Sequence, residues 1–144
     1  MSAETILKPR PPETGAEPAA IRDPLDVRGR IAELRLLRNG WLDGRGIAPS
    51  QVGLDWLAES FATCWPDDIP PPYLFPTPDS HVLAEWSLPP WTPSLEIDLA
   101  HKTGDWHALN LDTDGEETKS LNLSDAAGWN WLAERIRAFG TETE

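Results

Sequence analysis

From residue 26 onward the apolar positions follow two periods. Val27, Ile31, Leu34 and Leu37 recur every three or four residues, which places them on one face of an α-helix. Asp26 stands at the N-cap position. Asn39-Gly40 supplies a left-handed stop. A second helix is predicted behind Ser50, with Val52, Leu54, Leu57, Phe61, Cys64 and Trp65 on its apolar stripe and Pro66 as its end. A third is predicted behind Ser124, with Trp129, Leu132, Ala133, Ile136 and Phe139 as the stripe and Gly140 as the stop. Between the second and third helices the period falls to two. Leu95, Ile97 and Leu99 alternate with Ser94, Glu96 and Asp98, the signature of a half-buried strand. Strands are predicted over residues 81–87, 94–100, 106–111 and 118–123. Tyr73-Leu74-Phe75 makes a short edge strand inside the proline-dense crossing 66–80.

The links between strands carry turn chemistry: Pro89-Pro90 and Pro93, then Lys102-Thr103-Gly104-Asp105, then Asp112-Thr113-Asp114-Gly115. An Asp-Gly pair between two strands signals a hairpin. The expected fold is therefore α+β. An N-terminal helical hairpin precedes a four- to five-stranded antiparallel meander, and a C-terminal helix packs on one face of the sheet. The opposite face is left wet. The loop from Asn39 to Ser50 is expected to be a built turn. Gly40, Gly44 and Gly46 supply its bends, Trp41 and Leu42 plug the helical hairpin, and Asp43 holds backbone amides of the turn.

Composition refines this outline. At 144 residues the chain has room for one domain. Five prolines among residues 1–25, with no apolar period, predict a disordered arm ahead of a single domain over 26–140. No apolar run approaches the ~20 residues that span a bilayer, and the first ten residues lack an apolar segment of signal-peptide length. A single cysteine, Cys64, excludes an internal disulfide. The expected setting is cytoplasmic, away from membranes.

The net charge of −12 is unevenly spread. Residues 1–47 carry eight basic and seven acidic side chains, whereas residues 48–144 carry four basic and seventeen acidic. An anionic body of this kind repels phosphate backbones, which disfavours direct nucleic-acid binding, and it attracts basic proteins or divalent cations. Arg28, Arg30, Arg35 and Arg38 lie mostly off the first helix's apolar stripe. They read as a solvated face, with a small basic patch as the alternative.

Four stretches resemble a group of small, uncharacterised bacterial proteins with the pattern GWLDGxGxAP … YPTxxGGVxLEW … lEId. They are Gly40 to Pro49, Tyr73 to Pro78, Glu85-Trp86 and Leu95-Glu96-Ile97-Asp98. The likeness covers residues 30–100 and implies a shared fold without supplying an activity. This chain reads Asp79-Ser80-His81 where the pattern has a Gly-Gly pair, so the residues best suited to a left-handed turn are missing there.

Chemistry-bearing motifs are sparse. No Gly-Lys-Ser/Thr phosphate loop occurs. Cys64 sits in an apolar stripe, and His81, His101 and His107 lack metal-ligand spacing. His81 and His107 are expected to approach each other on neighbouring strands. The best constellation is Glu85, Glu96 and Asp98 on the polar faces of two strands expected to pair, which would set their carboxylates ~5–8 Å apart. Eight tryptophans are the second anomaly. Trp129 and Trp131, two apart on a helix, point in nearly opposite directions, and Trp91 lies among prolines. Trp91 and Trp131 are thus the expected exposed aromatics, ringed by acid as a protein-binding hot spot would be. The first expectation is an acidic binding module for a basic protein partner, antitoxin-, immunity- or inhibitor-like, with no cofactor. The alternatives are a structural subunit of a larger assembly, or a metal-assisted hydrolase using Glu85, Glu96, Asp98 and His107.

Overall fold

The computed structural model describes residues 26–142; the arm expected over 1–25 lies outside the described residues. Helices α1 (Val27–Leu34) and α2 (Gln51–Cys64) come first. Strands β1 (Tyr73–Pro76), β2 (Val82–Glu85), β3 (Trp91–Asp98), β4 (Thr103–Asn110) and β5 (Glu116–Asn122) follow, and helix α3 (Ala126–Glu142) closes the chain. The five strands form one antiparallel sheet in sequence order.

One face of that sheet is apolar. Val82, Ala84, Leu95, Ile97, Trp106, Ala108 and Leu121 are buried beneath the helices. Above them lie Leu54, Leu57 and Phe61 of α2 and Trp129, Leu132, Ala133, Ile136 and Phe139 of α3. Aromatic rings tie the layers into one chain of contacts. Trp56 and Phe61 of α2 meet Trp129 of α3, with Phe61–Trp129 at 5.1 Å. From Phe61 the contacts run through Trp65, Trp86 and Trp106 to Phe139, which stacks on Trp91 at 4.4 Å. Each such pair is worth ~0.5–1.5 kcal/mol beyond its buried area.

The caps explain where elements begin. Asp26 and Ser50 accept the Gly29 and Gly53 amides at 3.1 and 2.9 Å, as N-caps do. At α3 the cap is Asp125, which takes the Ala127 amide at 3.0 Å, while Ser124 is bonded to Asn122 instead. Several boundaries differ from expectation, three of them for reasons visible in the local structure. Helix α1 ends at Leu34, because the Leu36 and Leu37 amides turn back to the carbonyls of Glu33 and Leu34 in tighter three-residue turns. Helix α3 runs through Gly140. The turn before β4 closes at Lys102, whose φ is +58°, and Gly104 sits inside the strand opposite Ile97. Val52 is 79% exposed, since it lies about 200° around α2 from Leu54.

The loop between α1 and α2 is a closed ring of hydrogen bonds. Gly40 donates to Gly46 O at 2.8 Å, and Leu42 and Arg45 exchange bonds across Asp43-Gly44. Positive φ at Gly40, Asp43, Gly44 and Gly46 makes these bends. Asp43 contributes by adopting a left-handed φ of +51°; its carboxylate holds no amide of the turn. Trp41 lies half-buried against Gly46, while Leu42 is exposed. Ile47 donates to Pro78 O, fastening the loop to the turn before β2. In that turn the left-handed bend survives without glycine: Ser80 has φ +68°.

Candidate functional site

The strand register lays the uncovered face out in rows. Glu85, Ser94, His107 and Thr118 stand side by side across β2 to β5. Two residues along, Leu83, Glu96, Asp105 and Ser120 form the next row, and beyond it lie Asp98, Thr103 and Asn122. Glu116 occupies the same face at the far end of β5, paired with Leu109. Among the described residues no lysine or arginine holds a strand position on this face. Neighbouring strands are ~4.8 Å apart, so these carboxylates share a patch only a few strands wide.

All three histidines of the chain are set among these acids. His81 Nδ1 lies 2.7 Å from Glu96 Oε2, and its Nε2 is 3.6 Å from Asp98 Oδ2. His101 Nδ1 is 2.8 Å from the same Asp98 oxygen. The other Asp98 oxygen accepts the amides of Ala100 and His101. The His101 ring foremost, and then the His101 amide, hold the Asp98 carboxyl below its usual range against partial desolvation. His107 Nε2 pairs with Glu116 Oε2.

Two shallow hollows mark the face. One, of roughly 380 Å³, is bordered by Leu83, Ser94, Glu96, Asp105, His107 and Ser120. The other, of roughly 490 Å³, is bordered by Glu85, Ser94, His107, Trp91 and Leu111. Ser94 and His107 form the shared border.

Of the residues singled out from sequence, Glu85, Glu96 and Asp98 do share this face. Glu85 faces Ser94, not Glu96, so it stands diagonal to Glu96, while Glu96 and Asp98 are drawn together around His81. His107 is opposite Ser94, whereas His81 contacts Asp98, four residues along the same strand. The two histidines therefore do not meet. The set Glu85, Glu96, Asp98 and His107 is spread over three rows rather than converging. Among the described residues no group of three or more His, Cys, Asp or Glu side chains is arranged to hold a metal ion.

The tryptophans stand otherwise than expected. Trp131 is half-buried, edge-on to Trp106 at 5.6 Å, with Lys119 Nζ 5.5 Å from its ring centre. Trp129 meets Trp56 and Phe61 of α2 and donates its indole N–H to Leu123 O just past the end of β5, so both rings find a layer to pack on. Trp91 stacks flat on Phe139 and borders the second hollow from the helix side. The exposed rings on the acidic face are Tyr73 and Phe75 of β1, 40% and 39% exposed, beside Leu83. Asp105 and Glu116 also belong to this face and were missed in the sequence reading. Carrying the Trp106/Ala108 alternation back to Thr103, and the Leu121 alternation back to Glu116, would have found both.

Charge on the helix-covered side is spent within the fold. Arg135 grips Glu117 through two nitrogens, and Trp106 Nε1 donates to the same carboxylate at 3.0 Å. Arg135 chiefly, with Trp106, lowers the Glu117 pKa. Cys64 is half-buried against the core. No helix among the described residues is long and apolar enough to cross a membrane. In comparisons with known proteins, no family model, no curated protein and no solved structure matches this chain.

Proposed function

We propose that the protein is an acidic binding module that docks a basic protein partner on the uncovered sheet face, in a cytoplasmic antitoxin-, immunity- or inhibitor-like role. The observation that carries the reading is the composition of that face. Five carboxylates, Glu85, Glu96, Asp98, Asp105 and Glu116, occupy strand positions on a face where, among the described residues, no strand position is a lysine or arginine. Tyr73, Phe75 and Leu83 lie at its β1–β2 end and supply the apolar anchor that a charged patch lacks. Trp91 joins this surface through the hollow it shares with Glu85, and Trp131 serves as packing on the other side. Kinship with the bacterial group of the GWLDGxGxAP pattern, and the pairing of α1 and α2 as a helical hairpin, belong to the same proposal. They rest on the 40–49 loop and on the contact of Arg35 with Gln51 and Asp55.

The test begins with affinity purification from the native host at low and high salt. The partner is expected to be basic, near-stoichiometric at low salt and lost at high salt. Against that partner, the combined Glu85→Gln, Glu96→Gln and Asp98→Asn variant should bind about tenfold more weakly, at ~0.5 kcal/mol for each exposed pair. Its affinity should also change less with salt. Unaltered affinity and salt dependence in this variant would remove the acidic face from the account.

A further inference from the structure

The two edges of the sheet are finished differently. At β1 the edge is covered: α1 packs against it, and Arg30 Nε donates to the outward carbonyl of Leu74 at 2.7 Å. At β5 no element lies outside the strand among the described residues. The hydrogen-bond phase shows which groups this leaves open. Leu123 donates to Lys102 O, and Asn110 donates to Gly115 O, so the odd-numbered residues of β5 bond inward to β4. The amides and carbonyls of Glu116, Thr118 and Ser120 therefore point away from the sheet, and their side chains stand on the acidic face.

An open edge of this length is a template for another strand. We infer that β5 is a strand-addition edge, on which an extended segment of the basic partner pairs as a sixth strand. This inference rests on the basic-partner reading above. Charge complementarity selects the occupant. On the acidic side an incoming strand runs beside Glu116, with Asp112 and Asp114 just beyond it in the β4–β5 turn. On the helix side it meets Lys119 and the rim of Trp131, because Glu117 is already held by Arg135. Basic residues therefore suit the acidic side and apolar ones the helix side. Residues 9–24 of the chain itself carry five prolines, which cannot donate to a ladder. A second copy brings another −12 of like charge.

The probe is an eight-residue peptide alternating Lys and Val, blocked at both ends, added to the full-length protein at low salt. Two companions carry N-methyl groups on all Lys amides or on all Val amides, each removing the donors of one peptide edge at constant charge. Amide hydrogen exchange by NMR is the readout. The unmodified peptide at saturation should slow exchange at Thr118 and Ser120 at least tenfold, and only one of the companions should retain that protection. Thr118→Pro removes an outward donor and leaves the β4 ladder whole, so it should abolish protection at Ser120 while the core tryptophan signal is kept; should that variant not fold, the methylated pair still decides. Salt-sensitive binding by all three peptides without protection at 118 and 120 would overturn strand addition and leave the acidic-face reading standing. No binding by any of them would overturn both. Strong protection of these amides in the protein alone would assign the edge to this chain or to a second copy, and would overturn the inference.

Discussion

Glu117 condenses the problem of placing charge on a packed surface. Its carboxylate answers both Arg135 and the Trp106 indole, so removing its charge leaves two donors under-satisfied. Glu117→Gln should cost about 1–3 kcal/mol at neutral pH. Because the folded-state pKa is depressed, this contribution is fully present above the ordinary value of 4.5 and is lost as pH falls through the lower folded value. Urea melts of both proteins at pH 7 and at pH 3 should show the stability gap closing at the lower pH. Ser80 poses the opposite case. It holds φ +68° with a Cβ in place, which costs roughly 1–2 kcal/mol. Ser80→Gly removes that cost but loosens the unfolded chain, so a net gain of about 0.5–1 kcal/mol is expected in the same melts. The local sequence Asp79-Ser80-His81 contains no glycine to signal a left-handed bend. The bend persists because the Ile47 link to Pro78 and the Thr77 hydroxyl, which takes the Asp79 and His81 amides, fix the loop around it.

At the scale of elements, contact between α3 and the strand before it depends on one missing side chain. A Cβ on Gly128 would lie 1.9 Å from the Asn122 carbonyl oxygen. Gly128→Ala must therefore shift the start of α3, at a cost of about 1–3 kcal/mol or more. Gly140, in the last turns of the same helix, would meet nothing within 4 Å, and Gly140→Ala should stabilise by up to about 1 kcal/mol. Thermal melts of the two alanine variants should move in opposite directions. The sequence treats these glycines the other way round, with Gly140 as the stop and Gly128 unremarked, since a close approach between distant segments leaves no local trace. Strand and helix identities were legible from period alone, as the β3 alternation and the α3 stripe show. Edges were less so: β4 and β5 begin two or three residues earlier than predicted. That shortfall hid Asp105 and Glu116, and with them part of the acidic face.

At the scale of the molecule, which side of the sheet is covered decides what the protein can present. Trp86, Trp106 and Trp129 are buried under the helices and the other indoles are half-buried, so the charge pattern and the β1 aromatics define most of the outer face. A sequence pattern distinguishes polar from apolar faces but not how many layers stack on the apolar one, which is why Trp131 was expected outside. That layering has an optical consequence. Seven of the eight indoles, all but Trp41, belong to one unbroken set of ring contacts with centroids 4.4 to 6.4 Å apart. At such separations an excited indole passes its excitation to a nearby indole before emitting, while the phenylalanines between them serve only as packing. Light absorbed at α2 can therefore be emitted from β4 or α3, with its polarisation lost on the way. The native protein should show low fluorescence anisotropy even in a rigid glass, together with an intense near-ultraviolet circular dichroism band. Both signals should vanish in a single transition on denaturation, because the antenna exists only while all of its layers are in place.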